Sequence, residues 1–221
     1  MLLKDFQDKH KGERCIIACN GPSLNDVPMD KLRGEIIFGL NRGYLKKDMR
    51  IKYHVVMVNE VTTQWGEELL AVDCDTLFTN RLEGEHVCRT DFGGNTFATD
   101  LSKPLHRGHT VTYPTIQIAF GMGFQEVLMI GLDHSFNYKN TERDESHHRR
   151  VINKGKDLNH FDPNYFGDGS LWLPYSPKMV EANYMKARKA FDHFGRSIVN
   201  ISSHSKLPDS VFKRGKFEEY F

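Results

Sequence analysis

Short, unbroken apolar runs that each stop at a side-chain amide or a glycine constrain this chain more than any other feature. Cys15-Ile16-Ile17-Ala18-Cys19 stops at Asn20-Gly21-Pro22-Ser23, Glu35-Ile36-Ile37-Phe38-Gly39-Leu40 at Asn41, and Tyr53-His54-Val55-Val56-Met57-Val58 at Asn59. Runs of this length suit strands buried on both faces, as in parallel sheets covered by helices. Asp75 to Thr79 and His86 to Arg89 read as shorter strands. Glu126-Val127-Leu128-Met129-Ile130 reads as a strong strand ending at Gly131-Leu132-Asp133, and Ser197 to Ile201 as the last. One helix is expected over Pro114 to Met122, stopped by Gly123. Another is capped by Ser176, begins at Pro177, carries Val180, Tyr184, Ala187, Phe191 and Phe194 on one face, and ends at Gly195. The expected fold is α/β, a Rossmann-like, doubly wound, mostly parallel sheet. Ligands of such sheets bind at the carboxyl ends of the strands, which selects Asn20 to Ser23, Asn41, Asn59 and Asp133.

At 221 residues the chain is expected to form one domain, residues 1–221. Ser135 to Ser176 breaks the pattern, with many charges, histidines and turn residues. It also carries His160-Phe161-Asp162-Pro163-Asn164-Tyr165-Phe166-Gly167 and Leu171-Trp172, aromatics that a solvated linker would not need. The segment is expected to be a lid that partly orders over a ligand. An excursion covering a sheet edge is the alternative.

Thirty Lys and Arg against 29 Asp and Glu leave a net charge of +1, so no global field draws the protein onto nucleic acid. No stretch approaches the ~18 to 20 apolar residues of a membrane span, and the first residues lack the apolar core of a signal peptide. A cytoplasmic location is expected. The four cysteines show no CxxC spacing and read as structural thiols.

The turn Asn20-Gly21-Pro22-Ser23 offers close backbone approach, a hydroxyl and exposed N–H groups, which suit a phosphate or ribose. A plain strand-to-helix turn would look the same, since neither strict phosphate-loop pattern occurs. Asn41 and Asn59 can donate and accept toward a base or sugar, or can simply favour turns. Asp133 can accept ribose hydroxyls, hold a metal, or cap the turn that follows. His160, among aromatics, is placed to be a general base on a hydroxyl. Asp73-Cys74-Asp75 has the D-x-D form of some metal-binding nucleotide-sugar enzymes, but reads better as a solvated turn before Thr76-Leu77-Phe78. The pair His147-His148 stands among arginines, which oppose a metal there.

Ile16 to Leu24, Gly39-Leu40-Asn41, Val58-Asn59 and Ala119 through Gly131-Leu132-Asp133 together resemble the bacterial lipooligosaccharide sialyltransferases. They are equally similar to a wider group with the flagellin-modification motility proteins and the archaeal 6-hydroxymethylpterin diphosphokinases. The similarity spans residues 15 to 60 and 108 to 205. It implies a site for a cytidine monophosphate-linked, sialic-acid-like donor: Asn20, Gly21, Pro22 and Ser23 against phosphate and sugar, Asn41 and Asn59 against the donor, Gly131 and Asp133 at the ribose. His160 would be the base, and Arg107, Thr110 and Thr112 would contact the donor. The sialyltransferases place tyrosines after G-[IL]-D to hold the leaving phosphate; here His134, Ser135 and Phe136 follow, with Tyr138 beyond, so Ser135 and Tyr138 are the candidates.

The expectation is a metal-independent glycosyltransferase with a nucleotide-sugar donor, a glycan acceptor and no required cofactor. The alternatives are ATP- and Mg²⁺-dependent pyrophosphoryl transfer to a pterin alcohol and a non-catalytic nucleotide- or glycan-binding module. The tail from Val211 to Phe217 mixes basic and aromatic residues. That suits either peripheral membrane contact or packing on the domain or a partner subunit of a homo-oligomer.

Overall fold

The computed structural model describes residues 1–174 and 176–221. Its main sheet contains β1 (Arg14–Ala18), β2 (Ile37–Leu40), β3 (Tyr53–Val56), β4 (Thr76–Thr79), β5 (Val87–Arg89) and β6 (Glu126–Ile130). The lid segment supplies a second, three-stranded antiparallel sheet of β7 (Thr141–Arg143), β8 (Val151–Asn153) and β9 (Leu171–Trp172). β10 (Ser197–Asn200) and β11 (Lys213–Arg214) complete the main sheet, in the order β11-β10-β6-β1-β2-β3-β4-β5. Every pairing in it is parallel, so the doubly wound α/β sheet expected from the apolar runs is present.

The reason lies in the strands. In β1 and β6 every residue after the first is buried, and β2 and β3 are buried throughout, so each strand needs apolar cover on both faces. Cys15, Ile17, Val127 and Met129 face one side with the helices α2 (Thr112–Gly121) and α3 (Pro177–His193), where Phe120 meets Phe191 edge-on at 5.1 Å. Ile16, Ala18, Leu128 and Ile130 face the other, with α1 (Asn59–Leu70) and the lid aromatics Phe161, Tyr165, Phe166 and Trp172. The lid therefore supplies the large aromatic rings of the second core. Burying each of its large rings contributes about 1.5–3 kcal/mol, which offsets the entropy of ordering the segment.

Several elements differ from the sequence reading. β3 ends at Val56 because Met57 and Val58 turn into α1, a helix with too few apolar residues to stand out. α2 begins at Thr112, so Pro114 falls in the first turn, where its missing N–H has no intrahelical partner to lose. Ser176 occupies the N-cap of α3 but its hydroxyl makes no capping bond. The tail packs on the domain: Val211 and Phe212 are buried, Phe212 lies 5.0 Å from the Tyr184 ring, and β11 extends the sheet. Cys15, Cys19 and Cys88 are buried, and all four thiols are free. Among the described residues no helix is long and apolar enough to cross a membrane.

Candidate functional site

β1 and β6 are neighbours at the middle of the sheet, and their carboxyl ends form its switch point. Backbone and side chain hold the two ends together there. The Gly21 N–H donates to the Gly131 carbonyl at 2.9 Å. The Ser23 N–H donates to Asp133 Oδ2 at 2.9 Å, and the Ser23 hydroxyl donates to Oδ1. A Cβ on Gly21 would stand 2.6 Å from the Asp133 carboxylate, so this approach requires glycine. Burial raises the Asp133 carboxyl above its ordinary value, against the two bonds from Ser23. The carboxylate thus secures the turn that begins at Pro22, while each oxygen retains a lone pair for a further donor.

At the end of β2, Asn41 adopts the left-handed conformation with φ +45°. His54 of β3 holds it there, its Nε2–H donating to the Asn41 carbonyl at 2.6 Å. Asn20 Nδ2 donates to the Leu40 carbonyl and to the Tyr165 hydroxyl, both at 2.9 Å. Its Oδ1, and the Oδ1 of Asn41, are buried without a partner among the described residues. Two orphaned acceptors at adjacent strand ends are costly to maintain unless a ligand or water donates to them.

Burial in β3 lowers the His54 imidazole to about 4. Between that value and the ordinary 6.5 the unfolded chain binds a proton that the native fold refuses, so stability is lost as pH falls through this window. His54 alone should cost about 2 kcal/mol between pH 7 and pH 5. In an NMR titration its ring resonances are expected to stay fixed from pH 8 to pH 5. A midpoint near 6.5 would contradict the buried, neutral assignment.

The lid is tied directly to these strand ends. The Phe161 N–H donates to the Asn20 carbonyl at 2.9 Å, and Asn25 Nδ2 donates to the Phe161 carbonyl at 2.7 Å. Arg42 is 7% exposed; its Nη1 donates to the carbonyls of Asn164, at 3.1 Å, and Tyr165. Its guanidinium also lies 4.1 Å over the Trp65 ring. A fixed planar charge satisfying lid carbonyls holds the lid against β2 and α1.

These contacts place His160 beside the switch point. Its ring stacks on Tyr165, with centroids 3.9 Å apart and planes 5° from parallel. Nδ1 lies 2.8 Å from Asp157 Oδ2. Asp157 also accepts the N–H groups of Asn159, at 2.7 Å, and Phe166, at 3.1 Å. Burial alone would raise the Asp157 carboxyl; the hydrogen bond and charge of His160, with the two amides, outweigh it and bring it below the ordinary carboxylate value. An ionised Asp157 can only accept, so it fixes the tautomer with the proton on Nδ1. In the neutral ring Nε2 then carries the lone pair, and it makes no hydrogen bond among the described residues.

The remaining candidates lie around this centre. Pro22, Ser135 and Tyr138 line a groove of about 370 Å³ with Asn159 and the lysines Lys139 and Lys206. Thr112 is buried, its Oγ1 3.8 Å from Cys19 Sγ and 3.4 Å from the Thr110 hydroxyl, which ties the start of α2 to the end of β1. Asn59 opens α1 and accepts from Arg81 Nε. Arg107 is exposed, its guanidinium 4.4 Å over the Phe92 ring. Asp73 and Asp75 precede β4 at the amino end of the sheet, where Asp75 pairs with Lys52 at 2.9 Å. The structure brings together Asn20, Gly21, Ser23, Asn41, Gly131, Asp133 and His160, and leaves Asp73 and Asp75 at the opposite end.

No family model and no curated protein matches the chain. Two solved structures of the sialyltransferase CstII from Campylobacter jejuni are similar to it. In one, CstII is in complex with cytidine-5'-monophosphate; the match has 12% identity and a TM-score of 0.48 over 91% of this chain and 84% of that one. In the other, CstII is in complex with CMP-3FNeuAc, again at 12% identity and 0.48, over 90% and 87%. Neither likeness assigns an activity or a residue role to this chain.

Four residues of this candidate site lay outside the sequence reading: Asp157, Arg42, His54, and Tyr165 as a hydrogen-bonding group. Asp157 had a usable signal, an acid three residues before the candidate base. Arg42 and His54 had none, because their neighbours come from distant segments.

Proposed function

We propose that the chain is a glycosyltransferase that moves a sugar from a nucleotide-activated donor, CMP-linked and sialic-acid-like, to a hydroxyl of a glycan acceptor. The observation that carries this reading is the Asp157–His160 pair, with a buried acid on Nδ1 and an unpartnered Nε2 beside the switch point. Nε2 takes the acceptor proton as the acceptor oxygen bonds to the anomeric carbon. The bond from that carbon to the phosphate oxygen breaks, and its electron pair leaves with the nucleotide. Asn20 and Asn41 offer their orphaned Oδ1 atoms to donor hydroxyls or an exocyclic amine, and Asp133 a remaining lone pair to the ribose. The lid, packed by its aromatics, keeps water from the donor. The cytidine and the sialic-acid-like sugar are inferred from the sequence resemblance.

The test is a thermal-shift series with CMP, and with ATP plus Mg²⁺, followed by a transfer assay with CMP-sialic acid and a mixed glycan panel. Saturating CMP without metal is expected to raise the melting temperature, equivalent to about 2.7 kcal/mol at a hundredfold excess over Kd. CMP should also appear as a product. Stabilisation by ATP with Mg²⁺ alone would overturn the reading in favour of pyrophosphoryl transfer. Binding of CMP without turnover of any donor would overturn it in favour of a binding module.

A further inference from the structure

Beyond the Pro22–Asp26 turn from His160, a second cavity of about 210 Å³ opens between that turn and the C-terminal tail. Asp26, Ser202, Ser203, Arg214, Lys216 and Phe217 are among its walls. It sits at the carboxyl ends of β10 and β11, the side on which parallel sheets bind ligands. We infer that it binds a small anion carrying hydroxyl groups, a sugar phosphate or a sugar acid.

Arg214 gives the charge. Its Nη2 donates to the Ser202 carbonyl at 2.6 Å, while Nη1 is buried and has no partner among the described residues. A guanidinium cannot shed its proton to escape that position, so the orphaned donors call for an acceptor. A phosphate or carboxylate supplies one with matching geometry. Lys216 adds a second positive charge to the same wall.

The facing wall defines the rest of the ligand. Asp26 lines it from the Pro22–Asp26 turn, its Oδ2 accepting from the Ser203 hydroxyl at 2.5 Å, while Glu218 lines the cavity from the tail, beside Lys216. Carboxylates there repel a second negative group and accept from hydroxyls, which suits a single anionic head on a polyhydroxylated body. Phe217, whose ring stacks on Phe221 at 4.8 Å, adds apolar lining. The volume lies below the roughly 300–1,000 Å³ of sites for larger ligands, so it suits one monosaccharide and not a nucleotide. This assignment is independent of the reaction proposed at His160.

The test is a two-dimensional amide NMR titration of the full chain with glucose 6-phosphate, glucuronate and uncharged glucose. Saturable shifts at Ser203 and Gly215 are expected with at least one anion and not with glucose, and the anion that binds identifies the head group. Arg214→Gln should weaken that binding about tenfold or more. Because Arg214 also supports the Ser202 carbonyl, Lys216→Glu at an exposed position serves as the second variant and should weaken it severalfold. Absence of saturable shifts with both anions, equal binding of glucose, or binding unchanged in the folded variants would overturn the inference.

Discussion

Under the proposed reaction, a His160→Ala chain is expected to transfer sugar at least about 100-fold more slowly than the parent while still binding CMP. Beyond its stacking on Tyr165, the imidazole has Nδ1 held by a buried carboxylate and Nε2 left to accept a proton in the proposed reaction. Donor binding should survive because the orphaned acceptors of Asn20 and Asn41 belong to the ends of β1 and β2. Asp157→Asn is expected to slow transfer as well, since an amide no longer selects the tautomer. Single-turnover assays with CMP-sialic acid, paired with CMP thermal shifts on each variant, separate the two effects. Unchanged turnover in His160→Ala would remove the general base from the mechanism, and loss of CMP binding in a folded variant would recast His160 as a binding residue.

Gly131→Ala is expected to destabilise the fold by about 3 kcal/mol, combining backbone strain with overpacking at one atom. Gly131 has φ +64°, where a side chain is strained by itself, and a Cβ there would overlap the Cys19 carbonyl oxygen. Relief is blocked on both sides. The Cys19 N–H donates to the Ile130 carbonyl at 2.8 Å, and the Gly21 N–H to the Gly131 carbonyl at 2.9 Å, so moving apart sacrifices ladder bonds at the switch point. Urea denaturation should show a lower midpoint with an unchanged slope. A loss below about 1 kcal/mol would mean that the β1 and β6 ends separate easily, and that their close contact is not what positions Ser23 on Asp133.

The small lid sheet and α1 show why parts of the fold were hidden in the sequence. β7, β8 and β9 are two or three residues each, too short for any period to register. In α1, only Val61, Thr62 and Leu69 are buried, and Thr63 and Gly66 are poor helix formers. Its position comes from packing under the lid, where Gln64 exchanges hydrogen bonds with the backbone of Leu171 at 2.9 and 3.0 Å. The buried strands carried their own signal, because burial on both faces demands unbroken apolar residues.

The sequence by itself determined the parallel sheet, the order in which its strands are laid down, and the residues at the carboxyl ends where a ligand would be held. Those features follow from local composition, since each strand and its terminating residue are adjacent in the chain. Only the tertiary structure decided that Asp133 is engaged by Ser23, that Arg42 is buried beneath the lid, and that Asp157 is sealed from water behind His160. The charge state and reach of such groups depend on solvent exclusion by segments more than 100 residues apart, as between Ser23 and Asp133 or Arg42 and Tyr165. No local pattern encodes that exclusion; it arises when the lid aromatics complete the second core over the strand ends.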